Sequence, residues 1–283
     1  MRCAGCSRTD NPSKGARMKP RVIARWLTTL TAVAALLITG ATLAADVHVM
    51  ISAGFFQAYS ALAPAFERTS GHRLVTTRGP SLGDSPEAIP TRIKRGEPVD
   101  VVIMVGASID DLSRQGLVSA SSKVNLARSE IGMVVRAGAA KPDIGSVDAF
   151  KRTLLEAKSI AYSDSGSGIY LSTTLFAKLG VADQVMGKSR KIRGPPSGEP
   201  VAAVVARGEA EIGFQQVSEL IHVPGVAFVG TIPAELQEET FFSAALATVV
   251  KQREAAEALI RFLASREAAS AISVAGLTPL AGR

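Results

Sequence analysis

The stretch Ala161-Tyr162-Ser163-Asp164-Ser165-Gly166-Ser167-Gly168-Ile169-Tyr170 decides the fold. An apolar strand, Ser159–Tyr162, gives way to small polar residues, and a helix then runs from Ile169 to Leu179 until Gly180 stops it. Ser165 or Ser167 is placed to cap that helix, and the glycines let backbone N–H groups approach a guest closely. Orphan N–H groups and the macrodipole make such a helix start an anion site. An ordinary capped strand-to-helix turn, needing no ligand, is spelled the same way.

Similar junctions lie on either side. Ser52-Ala53-Gly54 follows an apolar strand at residues 46–53 and precedes a helical face made by Phe55, Tyr59, Leu62 and Phe66. Pro64 is expected to kink or shorten that helix. Gly79-Pro80-Ser81-Leu82-Gly83 follows a short strand at Leu74–Thr77, and Pro196-Ser197-Gly198 opens a helix at Val201–Arg207. Asp100–Val105 is a near-continuous apolar strand of the kind buried in a parallel sheet. Further strands are read at Ile131–Val135, Ile212–Gln215, Val226–Val229 and Phe241–Val250. Helices are read at Ala88–Lys94, at Ser108 or Ile109 through Gln115, at Val147–Ala157 and at Arg253–Ser273, the last with a break. Alternation of this sort predicts an α/β fold with parallel sheets. In such sheets ligands sit beyond the carboxyl ends of the strands, where these loops converge.

The overall charge points elsewhere until it is located. The 283 residues carry 32 Lys and Arg against 25 Asp and Glu, a formal +7. From Met18 the chain has a basic start, a long apolar stretch and the small-residue ending Ala41-Thr42-Leu43-Ala44. That is the pattern of a cleaved secretory signal peptide, with cleavage after Ala44. Residues 1–17 precede this second start and read as an over-called beginning. An uncleaved membrane anchor is the competing reading of the same apolar run. Residues 1–44 hold seven basic side chains and one acidic, so the mature chain keeps 25 basic against 24 acidic, a net +1. A nucleic-acid partner therefore has no support. Cys3 and Cys6 also leave with the signal, which excludes a disulfide framework, a cysteine nucleophile and thiolate-bound zinc from the mature chain.

Familiar catalytic signatures fail on inspection. Gly187-Lys188-Ser189 resembles the end of a phosphate-binding loop, but residue 182 is Ala where that motif needs Gly. The Ser167 region is not G-x-S-x-G, because 165 is Ser and 169 is Ile. His48, His72 and His222 lack metal-ligand spacing, and no spaced pair of carboxylates recommends itself. No cofactor and no metal are expected.

The order of elements resembles the periplasmic molybdate-binding proteins of ABC importers, within the type II solute-binding superfamily. The blocks that carry the resemblance are R-G-E-P-V-D-V-V-I (95–103), S-G-I-Y (167–170), A-K-L-G (177–180) and A-R-G-E-A-E-I-G (206–213), with the first strand and helix. It implies a two-lobed α/β fold of parallel-sheet sandwich domains joined by a two-segment hinge. Lobe 1 would comprise 46–128 plus 232–283, and lobe 2 would comprise 129–231. The implied function is capture of a small anion in the cleft by a monomer that delivers it to a membrane permease and its ATPase, without catalysis. An enzyme or a sensor module on the same fold is the alternative.

In that family two serines, two backbone amides and a tyrosine hydroxyl hold the oxyanion. Counted along this chain, the first serine falls on Gly54, which has no hydroxyl, and the second on Ser81 or Ser85. The amides fall on Ser167 and Gly198, and the tyrosine on Gln216. Ser165, Gly168 and Tyr170 flank the second-lobe amide. A lost hydroxyl costs a tetrahedral dianion about 1–3 kcal/mol. Gln216 can both donate and accept, which suits a ligand bearing carboxylate with hydroxyl or carboxylic acid groups. Phe55 would cover an apolar part of such a ligand, and Arg78 is a candidate bidentate partner for a carboxylate, or else a solvated surface arginine. The expected ligand is thus a small anion, either a molybdate-like oxyanion or a small di- or tricarboxylate.

Overall fold

Apolar runs placed between small-residue turns build two sheets, seen in a computed structural model that describes residues 44–83 and 85–280. The signal segment up to Leu43, with Met18, Cys3 and Cys6, lies outside the described residues. No helix among the described residues is long and apolar enough to cross a membrane.

The first sheet orders its six strands β2-β1-β3-β10-β4-β11. These are β1 Asp46–Ile51, β2 Arg73–Arg78, β3 Val101–Val105, β4 Val124–Ser129, β10 Thr240–Leu246 and β11 Thr278–Pro279. The second orders five strands β7-β6-β8-β5-β9. Its members are β5 Ile131–Arg136, β6 Ile160–Ser163, β7 Ser189–Ile192, β8 Ile212–Gln216 and β9 Val226–Thr231. Both sheets are mixed, adding antiparallel strands to the expected parallel pairs. β1 runs parallel to β2 and β3, whereas β10 runs antiparallel to β3 and β4. β6 runs parallel to β7 and β8, whereas β5 runs antiparallel to β8 and β9. Besides the two-residue edge strand β11, antiparallel to β4, the reversed strands are β10 and β5, the ones that enter each sheet from the other. They arrive without a crossover helix and so need not share the direction of their neighbours.

The chain passes from β4 to β5 through Glu130 alone, and returns through residues 232–239 between β9 and β10. Gln237 ties the two passages together. Its Oε1 accepts from the Ile131 N–H at 2.9 Å, and its Nε2 donates to the Ile131 carbonyl at 2.9 Å and the Ile232 carbonyl at 3.2 Å.

Helices are named in chain order. α1 is Ala53–Ser70, α2 Ile89–Lys94, α3 Gly106–Arg114 and α4 Val147–Glu156. α5 starts at Gly166, winds through a π turn at Leu171–Leu175 and ends at Lys178. The rest are α6 Ala182–Val185, α7 Val201–Ala206, α8 Val217–Leu220, α9 Arg253–Leu263 and α10 Ala269–Val274. α1 continues through Pro64 over 18 residues, contrary to the expected shortening. Ser60 and Pro64 are both exposed, so water can serve the carbonyl that lacks its N–H partner, while Phe55, Tyr59, Leu62 and Phe66 hold the other face in the core. The last helical stretch is broken at residues 264–268, and β10 ends four residues before the predicted strand does.

Asp100, 2% exposed, stitches the first lobe together ahead of β3. Its Oδ2 accepts from the His48 N–H at 2.9 Å, and its Oδ1 accepts from the Lys251 and Gln252 N–H groups at 2.8 and 3.1 Å. Asp100→Ala strands three backbone donors and should destabilise the protein by about 2–3 kcal/mol, read from urea midpoints. A loss below about 0.5 kcal/mol would show that the carboxylate is not a structural tie.

Candidate functional site

The carboxyl ends of β1, β2, β3, β6, β7 and β8 and the start of β10 converge on a cavity of about 500 Å³. Its wall is mostly small and uncharged: Ser52 and Gly54 after β1, Ser81 after β2, Ser108 on α3, and the Ser163–Ser167 turn. Phe241 and Phe242 supply an aromatic side.

Two hydroxyls stand out because nothing holds them. Ser52 and Ser108 are buried, line the cavity, and among the described residues have no partner for Oγ. Ser52 occupies the N-cap position of α1, yet its side chain makes no capping bond. A buried hydroxyl without a partner costs free energy that a bound polar group would recover. The remaining serines are engaged. Ser81 Oγ accepts from the Val105 N–H at 3.2 Å, and Ser163 Oγ lies 2.9 Å from Ser165 Oγ and 3.1 Å from Ser167 Oγ. A Cβ on Gly168 would stand 1.7 Å from the Ser163 carbonyl oxygen, so only glycine lets α5 start this close to β6.

Beside β8 lies a short polar chain. The Val201 N–H donates to Gln215 Oε1 at 3.2 Å, and Gln215 Nε2 donates to Glu219 Oε2 at 2.7 Å. Gln216 Oε1 accepts from Ser129 Oγ at 2.5 Å. Glu219 is largely removed from water, and that burial pushes its carboxyl up to about 7 from an ordinary 4.5. The Gln215 bond and the charge of Arg78 pull it down, and Asp164 pushes it further up. Tyr170 Oη donates to the Leu236 carbonyl at 2.8 Å, and burial raises its phenol further from ionisation. Lys123 is ion-paired with Asp110 at 2.7 Å.

Of the residues expected from sequence, Gly54, Ser81, Ser165, Ser167, Tyr170 and Gln216 line the cavity, and Phe55, Arg78, Ser85, Gly168 and Gly198 do not. Phe55 is fully buried in the core against Phe242, with ring centroids 6.5 Å apart. Its helical periodicity with Tyr59, Leu62 and Phe66 was the mark of a core face. Arg78 packs its guanidinium 4.0 Å over the Phe56 ring, and its Nε is buried with no partner among the described residues. Burial lowers its affinity for the proton, and the Glu219 charge partly restores it. Ser85 belongs to the turn before α2, where its carbonyl accepts from the Ala88 N–H at 3.0 Å. A Cβ on Gly198 would meet the Arg193 carbonyl oxygen at 2.0 Å, so this glycine serves backbone packing. Sequence reasoning missed Ser52, Ser108 and Glu219. Ser52, two residues before position 54, places on the cavity wall a hydroxyl with no partner among the described residues, and the spelling Ser52-Ala53-Gly54 was its signal.

Two outcomes follow from this geometry. Gly54→Ser puts a Cβ 2.0 Å from Cζ of the buried Phe242 ring, and overpacking of this kind should cost about 1–3 kcal/mol. Gly54→Ser with Phe242→Ala should behave less than additively in thermal melts, and strict additivity would contradict the clash. The second concerns pH. Because the folded protein holds the Glu219 proton up to about 7 and the unfolded chain releases it near 4.5, wild type should lose stability relative to Glu219→Gln as pH rises between those values. The difference should then stay flat above them. A difference that grows in favour of wild type with rising pH would contradict the burial of this carboxyl.

The comparisons with known proteins fit this architecture. A family model for bacterial extracellular solute-binding proteins matches residues 47–278. An aconitate isomerase of Pseudomonas sp. is 49% identical over 232 residues, 82% of this chain and 87% of that protein. The molybdate-binding protein ModA of Azotobacter vinelandii is 28% identical over 87% of this chain and 95% of its own. The solved periplasmic molybdate-binding protein of Azotobacter vinelandii superposes with a TM-score of 0.65 at 22% identity, covering 82% of this chain and 98% of that one. The fold is therefore the two-lobed type II arrangement of periplasmic binding proteins. The expectation of a chain without catalysis is corrected, because a relative sharing half its residues over most of both lengths is named as an enzyme. Missing motifs do not exclude catalysis, because an active site needs a group in the right surroundings, not a recognisable spelling. The chain belongs to the bacterial extracellular solute-binding proteins and resembles the periplasmic molybdate-binding proteins among them.

Proposed function

We propose that this protein is an isomerase of a small unsaturated tricarboxylic acid, with aconitate as its substrate, working in the cleft of an extracellular solute-binding fold. The observation that carries the reading is the 49% identity to an aconitate isomerase over 82% of this chain. Aconitate is propene-1,2,3-tricarboxylate. Its isomers differ in which side of the double bond a carboxylate occupies, so their interconversion consumes no electrons and no second reactant.

The cavity supports the reading chemically. About 500 Å³ accommodates an acid of this size. Ser52 and Ser108 offer unspent hydroxyls, and Ser81 and Ser167 stand beside them. Hydroxyls and oriented amides would meet the carboxylate charge in place of a lining cation, since Lys123 is paired with Asp110. Arg78 stands behind this wall, its Nε unspent. Gly54 and Gln216 depart from the pattern that grips a tetrahedral oxyanion, and an amide that donates and accepts suits an acid with several carboxyl groups.

In this reading the lobes 46–128 plus 232–283 and 129–231 close on the acid about the passages pinned by Gln237. Export to the periplasm by the segment 1–44 belongs to the same proposal. So does delivery of bound acid to an ABC permease and its ATPase, which is compatible with turnover in the cleft and rests on family membership.

Proton NMR of the vinyl signals tests the activity. Wild-type protein should convert cis- and trans-aconitate separately to one common mixture, at a rate proportional to protein. Aconitate at 100 times its Kd should also stabilise the fold by about 2.7 kcal/mol. No conversion, together with stabilisation by molybdate and tungstate alone, would overturn the reading.

A further inference from the structure

We propose that Glu219 is the group that carries the proton during isomerisation, held in position by Gln215. The inference rests on the isomerase reading and adds the residue that performs the step.

Interconverting the two geometries requires the double bond to lose its character for a moment. One route adds a nucleophile to the alkene and expels it. The described mature residues contain no cysteine, and His48, His72 and His222 are absent from the cavity wall. The other route moves a proton. The methylene carbon of propene-1,2,3-tricarboxylate lies between a carboxylate and the double bond, and it is the acidic carbon. A base removes one of its protons, and the electron pair spreads over the three-carbon unit and its carboxylates. The same acid then returns the proton to the far carbon. One C–H bond breaks, one forms, and the double bond shifts by one carbon. The product has the same connectivity, and the conformation held during the transfer decides its geometry. Nothing is oxidised, reduced or consumed.

Such a group must face the cavity, accept and return a proton, and sit out of bulk water. The other lining acids meet this poorly. Asp110, Asp111, Glu238 and Glu239 are exposed, and Asp110 is bound to Lys123. Asp164 Oδ1 accepts from the Gly194 N–H at 3.1 Å and so helps to hold its loop. The Tyr170 phenol donates to the Leu236 carbonyl.

Glu219 stands apart from these. It leaves the carboxyl end of β8 on α8, lines the cavity and is partly buried, unlike the exposed Asp110, Asp111, Glu238 and Glu239. Gln215 anchors one carboxyl oxygen at 2.7 Å and is itself oriented by the Val201 N–H at 3.2 Å. Among the described residues no hydrogen bond is made to the other oxygen, Oε1. The charged groups acting on the carboxyl are Arg78 from β2 and Asp164 after β6, opposite in sign. A carboxyl poised at about 7 is suited to giving and taking a proton at neutral pH.

The test uses the full mature chain with Glu219→Gln and Glu219→Asp, and two readouts. The first is kcat for aconitate. The second is Kd for propane-1,2,3-tricarboxylate, the saturated analogue that cannot isomerise. Glu219→Gln should lower kcat by about 100-fold or more while leaving the analogue's Kd within about fivefold. Glu219→Asp, which keeps the acid and shortens it, should retain more kcat than Glu219→Gln. Wild type active with Glu219→Gln within about tenfold of it would overturn the role of Glu219 and leave the isomerase reading intact. Loss of analogue binding in both variants would assign Glu219 to binding and overturn the inference as well. A wild type that turns over no aconitate removes the isomerase reading and this inference with it.

Discussion

The cost of placing a carboxylate charge at Glu219, inside a wall of small uncharged groups, governs the rest of the site. An ionised carboxyl taken out of water must be repaid by hydrogen bonds and nearby cations, or it keeps its proton. Here one amide donor and one arginine at a distance offset burial only in part, so the group stays poised near neutrality. In the same wall the Ser52 and Ser108 hydroxyls have no partner among the described residues. A ligand rich in carboxyl oxygens would accept from both hydroxyls, and its negative charge would favour the protonated form of Glu219 further. In the proposed isomerase the binding fold would become a reactive site through one partly buried acid and a few hydroxyl donors.

The fold makes this economy possible by directing strand ends. β1, β2, β3, β6, β7 and β8 deliver short turns to one place, and the two antiparallel entrants, β10 and β5, complete each sheet. Glycine permits two of the tight approaches at the site, Gly168 against the Ser163 carbonyl and Gly54 against Phe242. Between the two halves, Ser218 Oγ donates to the Gly54 carbonyl at 2.7 Å, a buried bond across 164 residues. Gly54 therefore lacks a hydroxyl because its space is taken by an aromatic ring and its carbonyl by a neighbour.

Much of the architecture was legible, and the failures have physical reasons. β1 and β3 announce themselves as apolar runs, and the small-residue turns mark where a ligand would lie. β4, Val-Asn-Leu-Ala-Arg-Ser, and β7, Ser-Arg-Lys-Ile, carry too many polar residues to be recognised. Their pairing is set by β10 and β6, which lie far away in sequence. Pro64 read as a helix breaker because sequence does not show that the freed carbonyl is exposed. At the site, serines near helix starts were visible, but Ser52 was passed over for the position two residues on. Glu219 was invisible because a lone glutamate has no spacing to betray it. Its raised pKa comes first from burial, then from Gln215, Arg78 and Asp164, surroundings that only the fold creates. The +7 of the whole chain was the least informative signal, since it belongs largely to the leading segment.

The central claim is that substrate carbon meets the Glu219 carboxyl. A crystal structure with propane-1,2,3-tricarboxylate tests this most directly. A methylene carbon should lie about 3–3.5 Å from a Glu219 carboxyl oxygen, with ligand carboxylates on Ser52 and Ser108. A ligand bound in the cavity with only carboxylate oxygens near Glu219, or one held far from it, would contradict the account.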